Sequence, residues 1–223
     1  MSPRTEELIA RLARDLRPVE PLAPLYKVST RLLVATAVVV GLAAAVGIAG
    51  GLLLPAAPTR SGYASITGHL LLAFGALAVA LASCVPGRER LERAGYLAAA
   101  AGAGTAIAIA ILLFRSAPPG GLGFVWTADT LVCTLLATLP ALVPAVLLVE
   151  FVRSGAPHRP SRTLAFGAVA TVAFATLPGQ VGCPCPGVLH GVIAHLFAPL
   201  TGGAVVFLCS SLLFYRGRVS RAA

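Results

Sequence analysis

Charge is what this chain has least of: 11% of its 223 residues are charged, and only eight residues are acidic. No polar stretch is long enough for a separate soluble catalytic domain. Any Cys-x-x-Cys pair of the kind that marks thioredoxin-like redox sites and zinc ribbons is also missing. A separate soluble enzyme domain is therefore excluded, and the cysteines present do not have the spacing of either of those two site types.

What is present is apolar. Hydrophobic residues make up 57% of the chain and the mean hydropathy is +0.89, values of a polytopic membrane protein. A spanning helix needs roughly 20 apolar residues, and six stretches qualify, at 31–54, 64–85, 94–114, 125–151, 163–181 and 188–214. The first begins after a polar segment and exceeds a signal-peptide core in length, so it reads as a span. The expected fold is an all-α membrane helix bundle of about six transmembrane helices. Residues 1–28 form a cytosolic arm with a short amphipathic helix, 29–215 the transmembrane domain and 216–223 a basic tail.

Cytoplasmic flanks retain positive charge. With both termini inside, the inner flanks hold Arg4, Arg11, Arg14, Arg17, Lys27, Arg31, Arg88, Arg90, Arg93, Arg153, Arg159, Arg162, Arg216, Arg218 and Arg221. Only Arg60 and Arg115 face out, so 15 of the 17 positive charges lie inside. The net +9 reads as a topology signal and an attraction to anionic lipid. Charge spread over short flanks is a poor nucleic-acid surface.

In the arm, Thr5 is placed to cap a helix whose first turn holds Glu6 and Glu7. Leu8, Leu12 and Leu16 recur every four residues beside Ile9 and Ala13, opposite Arg11, Arg14 and Asp15, and Pro18 ends the pattern. So short a helix is marginal alone in water and becomes ordered against lipid headgroups, the protein's own loops or a partner's groove. Pro18, Pro21 and Pro24 recur at intervals of three. That favours an extended spacer, which would hold the helix off the membrane and favours the partner.

Cysteine and histidine gather at the outer side. Cys183-Pro184-Cys185-Pro186 occupies the last outer loop, with His190 and His195 following it. Cys133 lies ~12 Å below the outer end of the fourth span at 1.5 Å per residue. Thiolate and imidazole suit soft metals, with Cys183, Cys185 and His190 as candidate ligands, and a thiol pair facing an oxidising compartment can instead close a disulfide. His190 and His195, five apart, fall about 140° from each other on an α-helix and should not share a face. Cys84 and Cys209 read as packing residues, and His69 as an interhelical hydrogen bonder. Asp129 and Glu150 lie near opposite ends of the fourth span, close enough to the interfaces to be solvated. Pro140 and Pro144 between them should kink it and offer a hinge. Gly47 with Gly51, and Gly95 with Ala99 and Ala103, fit close helix packing.

Thr5-Glu6-Glu7-Leu8-Ile9, followed by Leu12-Ala13, Asp15-Leu16 and Arg17-Pro18-Val19, resembles the start of the NrsF family of six-span membrane anti-sigma factors. The likeness continues through Cys133, the Pro140 and Pro144 pair, Arg153-Ser154-Gly155-Ala156-Pro157, Cys183-Pro184 and His195. Spans one to three match only in hydropathy. The chain departs from the family at Gly182, where histidine is usual, and at Ala194, where tryptophan is usual, and Cys185 is an addition. The light-responsive CarR type of anti-sigma factor shares the general plan.

The resemblance implies that the arm binds an extracytoplasmic-function sigma factor and keeps it from RNA polymerase, and that Cys133 and Cys183 take part in sensing. The expected protein is thus a non-enzymatic anti-sigma factor of the bacterial inner membrane. Leu8, Ile9, Leu12 and Leu16 would engage the partner, with Glu6, Glu7, Arg11 and Asp15 setting register. Cys133, Cys183, Cys185 and His195 would sense an envelope, redox, metal or light-linked signal, and Pro140 and Pro144 would act as a hinge. No cofactor is required, and a soft metal ion at the outer cluster is the one the pattern admits. The partners are the sigma factor and the lipid bilayer, with no direct nucleic acid. The alternative is a membrane thiol oxidoreductase or soft-metal permease using Cys133, Cys183 and Cys185. The second redox pair or quinone pocket of the former, and the ligands in several spans of the latter, are not evident, although His69 and Asp129 keep the permease open.

Overall fold

The computed structural model describes residues 3–15, 24–54, 60–117, 128–155, 159–183 and 188–222. Among these the chain is helical throughout, without strands. Six helical segments are long and apolar enough to cross a membrane, Leu25–Ala49, Gly62–Ala82, Glu89–Ser116, Thr130–Arg153, Pro160–Gly182 and Val188–Arg216.

Helix α1 (Pro3–Asp15) is the arm helix. It starts two residues before Thr5, so Thr5 lies in its first turn instead of capping it. Glu6, Glu7, Ile9 and Arg11 are exposed; the side chains of Leu8, Leu12 and Asp15, and the whole of Leu16, lie outside the described residues. Among the described residues, no extensive packing joins α1 to any span.

Helix α2 (Leu25–Ala49) starts after Pro24, which has no N–H to leave unpaired at a helix entry. It ends earlier than apolarity alone suggests. Gly50 and Gly51 turn the chain, Gly51 with φ +71°, so that Leu53 folds back onto Gly47, where a Cβ would meet Leu53 Cδ1 at 2.8 Å. Gly47 and Gly51 thus serve this turn and do not form a helix-packing seam. Val34, Val38, Leu42 and Val46 form an exposed apolar stripe on α2, a face that only lipid or another helix would cover.

The centre of the bundle is α3 (Arg60–Ala82), which packs most extensively against α4 (Glu89–Ser116) and α7 (Pro160–Ala175), and α7 packs in turn on α10 (Ala198–Ala222). The α3–α4 contact is backbone on backbone. A Cβ on Gly95 would lie 2.7 Å from the Gly75 carbonyl oxygen, and one on Gly102 2.5 Å from that of Gly68. Van der Waals contact at this range drives helix association where lipid removes the hydrophobic incentive. Ala99 and Ala106 continue the seam, while Ala103 sits at its half-buried margin.

Each of the last three spans is interrupted. The fourth is α5 (Ala128–Thr138) and α6 (Leu142–Gly155), broken at Leu139-Pro140-Ala141. Pro140 lacks the N–H that would continue the ladder, whereas Pro144 sits in the first turn of α6, where none is missed. The interruption is therefore at Pro140, and Pro144 adds no kink. The fifth is α7 followed by α8 (Leu177–Gly182), with Thr176 between. The sixth begins with α9 (Val188–His190), passes through a π-helical turn at Gly191–Leu196 and resumes as α10 after Phe197.

Charge collects at the end opposite the cysteine loop. Arg162 pairs with Glu92 and lies 5.9 Å from the Tyr96 ring centroid, and Arg153 donates to the Leu213 carbonyl. In the turn after α3, Cys84 is buried as expected, and burial pushes its thiol up to about 11 against a weaker opposing hydrogen bond from Thr163. Cys209 is exposed, contrary to its reading as a packing residue, because it falls on the outward side of α10.

Candidate functional site

At the end of the bundle away from the arginine-rich flanks, three spans bring sulfur and imidazole together. Cys133 sits on the second turn of α5 and Cys183 follows α8 directly. Their Sγ atoms are 3.7 Å apart, within hydrogen-bond range for sulfur. His190 closes α9, with Nε2 3.2 Å from Cys183 Sγ and Nδ1 3.0 Å from the Thr130 hydroxyl.

His195 joins them through the π turn. On an α-helix it would point about 140° away from His190, but in a π turn hydrogen bonds close from i to i+5 and residues five apart stack. The Phe197 N–H bonds the Val192 carbonyl at 2.9 Å in this pattern, and the two imidazole centroids come within 5.1 Å. The expectation that these histidines could not share a face fails for that reason. One ligand atom from each of Cys133, Cys183, His190 and His195 lies within 4.8 Å of all the others.

Behind the cluster is a buried polar clamp. His69 on α3 is buried, with Nε2 2.8 Å from the His195 carbonyl oxygen and Nδ1 2.9 Å from that of Ser65. This is the interhelical hydrogen bond the sequence suggested for it. The Gln180 amide on α8 donates to the same His195 carbonyl at 2.9 Å, and the Ser65 hydroxyl donates to Gln180 Oε1 at 2.7 Å. Gly179 makes room for the ring, since a Cβ there would lie 2.8 Å from His195 Nδ1. Spans two, five and six are thereby tied to the backbone of the π turn.

Among the remaining sequence candidates, Cys185 lies outside the described residues, as do the other members of the loop 184–187 and the side chain of Asp129. Glu150 is exposed at the other end of the fourth span, in a cleft of about 240 Å³ shared with Arg31 between α2 and α6. Thr130, Ser65, Gly179 and Gln180 were not singled out by sequence. A polar residue near the end of an apolar run is the only signal Gln180 offers, and it resembles ordinary interfacial polarity.

A family model described as negative regulator of sigma F matches residues 12–214, which includes all four members of the cluster. The chain belongs to the NrsF family. Comparison with curated proteins and with solved structures gives no match. Membership makes the protein one of a family of negative regulators of a sigma factor, with a sigma factor as implied partner. Gly182 and Ala194, the two positions that the sequence set apart from the NrsF resemblance, both lie in buried surroundings. Gly182 is buried under residues 53–54, its carbonyl taking the Leu54 N–H at 2.6 Å. A Cβ there would meet the Leu54 carbonyl at 3.1 Å, so a histidine would displace that segment. Ala194 is fully buried in the π turn.

Proposed function

We propose that this chain is a membrane-anchored anti-sigma factor whose arm sequesters an extracytoplasmic-function sigma factor, and whose Cys133–Cys183 site governs release. The observation that carries the reading is α1. An amphipathic helix with Ile9 half exposed and, among the described residues, with no extensive packing on its own bundle, is suited to a partner's groove. Within a family of negative regulators of a sigma factor, that partner is the sigma factor.

The mechanism is occlusion. The Leu8, Ile9, Leu12 and Leu16 stripe is buried in the sigma factor, while Glu6, Glu7, Arg11 and Asp15 set register. In this reading arm and tail lie on the cytoplasmic side of the inner membrane and the thiols at its outer face, which the excess of arginine on the arm side supports. A change at Cys133 and Cys183 alters how α5 meets α8, and the discontinuity at Pro140 lets α5 move relative to α6. A few kcal/mol of difference between two helix arrangements suffices to shift the population.

Capture from detergent-solubilised membranes tests the reading. The full chain should retain a sigma factor and the same chain lacking residues 1–23 should not. Equal retention by both would place the contact elsewhere.

A further inference from the structure

We propose that Cys133, Cys183, His190 and His195 form a tetrahedral site for one thiophilic d10 cation of the zinc class. The inference deepens the proposed regulator reading, because it assigns a ligand to the site taken there to govern release.

The distances fit before any ion is considered. With bonds of about 2.3 Å to sulfur and 2.0–2.1 Å to nitrogen, ligands at the corners of a tetrahedron stand roughly 3.3–3.8 Å apart. The two sulfurs are 3.7 Å apart and Cys183 Sγ lies 3.2 Å from His190 Nε2. The widest separation in the set is 4.8 Å, so a modest contraction completes the shell.

Orientation fits as well. A ligating histidine normally has its second ring nitrogen held by a hydrogen bond. The His190 Nδ1–H, placed to donate to Thr130 Oγ1 at 3.0 Å, leaves Nε2 facing the sulfurs. His195 is more than nine-tenths buried, and its Nε2 is buried without a hydrogen-bond partner. An unmet imidazole nitrogen inside the protein is costly, and a cation at this point would satisfy it.

The π turn supplies the fourth ligand. Such turns are rare and concentrate at functional sites, and here the irregularity sets His195 over His190. His69 and Gln180 grip the carbonyl of His195 itself, so capture or loss of the ion at the ring pulls on spans two and five. A cleft of about 270 Å³, lined by Cys183, Gln180 and His195 among others, gives an ion a route in. Two thiolates and two neutral imidazoles in a tetrahedron select zinc-like cations over hard ones such as magnesium.

The test uses the full chain, reduced and stripped of metal with a chelator, in detergent micelles. Zn(II) affinity is measured by competition with a chromophoric chelator, and Cd(II) uptake by its thiolate charge-transfer absorption. The wild type should take up one ion per chain, and Cys133→Ser with Cys183→Ser together should remove the absorption. His190→Ala and His195→Ala should each weaken Zn(II) by more than the ~10–100-fold that loss of an outer hydrogen-bond partner costs. Cys209→Ser and Cys185→Ser should bind as the wild type does, which also controls for folding. A wild type that takes up no ion, histidine variants that hold it as tightly as the wild type, or loss of binding in Cys185→Ser would each overturn the assignment. Sigma-factor capture, measured separately, keeps the two readings apart: ion uptake without capture defeats the regulator and leaves the site standing, and capture without ion uptake does the reverse.

Discussion

Cys84 and the Cys133–Cys183 pair are the same side chain in opposite surroundings. Burial in the turn after α3 holds the Cys84 thiol up at about 11, so near neutral pH it stays protonated and the nucleophilic thiolate is scarce. Its alkylation should be slow at pH 7 and should accelerate only as pH climbs toward 11, which mass spectrometry of iodoacetamide-treated membranes can follow. Fast labelling of Cys84 at pH 7 would show that the turn opens. For the outer pair, replacing both Cys133 and Cys183 by serine should alter induction while leaving protein level and uninduced repression unchanged. A double variant that responds normally to every wild-type inducer would reduce the pair to packing residues.

Among the elements, the α3–α4 pair has the least freedom, because Gly68, Gly75, Gly95 and Gly102 let the two backbones touch. Gly102→Leu forces side-chain atoms into the α3 backbone, an overpacking that costs about 1–3 kcal/mol or more. The variant should accumulate poorly in membranes and lose thermal stability, measured by a melting assay in detergent. Unchanged melting would mean that the helices part easily. Part of this was legible in the sequence: Gly95 and Ala99 announced a small-residue seam, and hydropathy located six spans. What it could not convey was where apolar chain stops being helix. Leu52 to Leu54 are as apolar as a span but turn back over Gly47, since hydropathy does not distinguish a helix from an apolar segment packed on one. The π turn was equally hidden. A single register change moves His195 onto the face of His190, and a reading based on 3.6 residues per turn separates them.

For the whole molecule, the uneven distribution of arginine yields a testable orientation. Reporter fusions after Arg93, Arg162 and Arg221 should report the cytoplasm, and those after Ser61, Arg115 and Gly187 the outside. A fusion after Arg93 that reports the outside would invert the proposed sensing face. In the proposed orientation the thiol and imidazole cluster, built on the three interrupted spans, would look outward and α1 inward. That is the arrangement the proposed regulator requires, with a sensing site on one side of the membrane and a sigma-factor-binding arm on the other.

The central claim is that the apolar stripe of α1 holds the sigma factor. Its most direct test is Leu12→Asp in the full-length chain, read by a sigma-dependent promoter in cells without inducer. A charge in the stripe should abolish the contact and leave the spans untouched, so the account predicts full promoter activity with the variant present in the membrane at wild-type level. Continued repression at that level would contradict it.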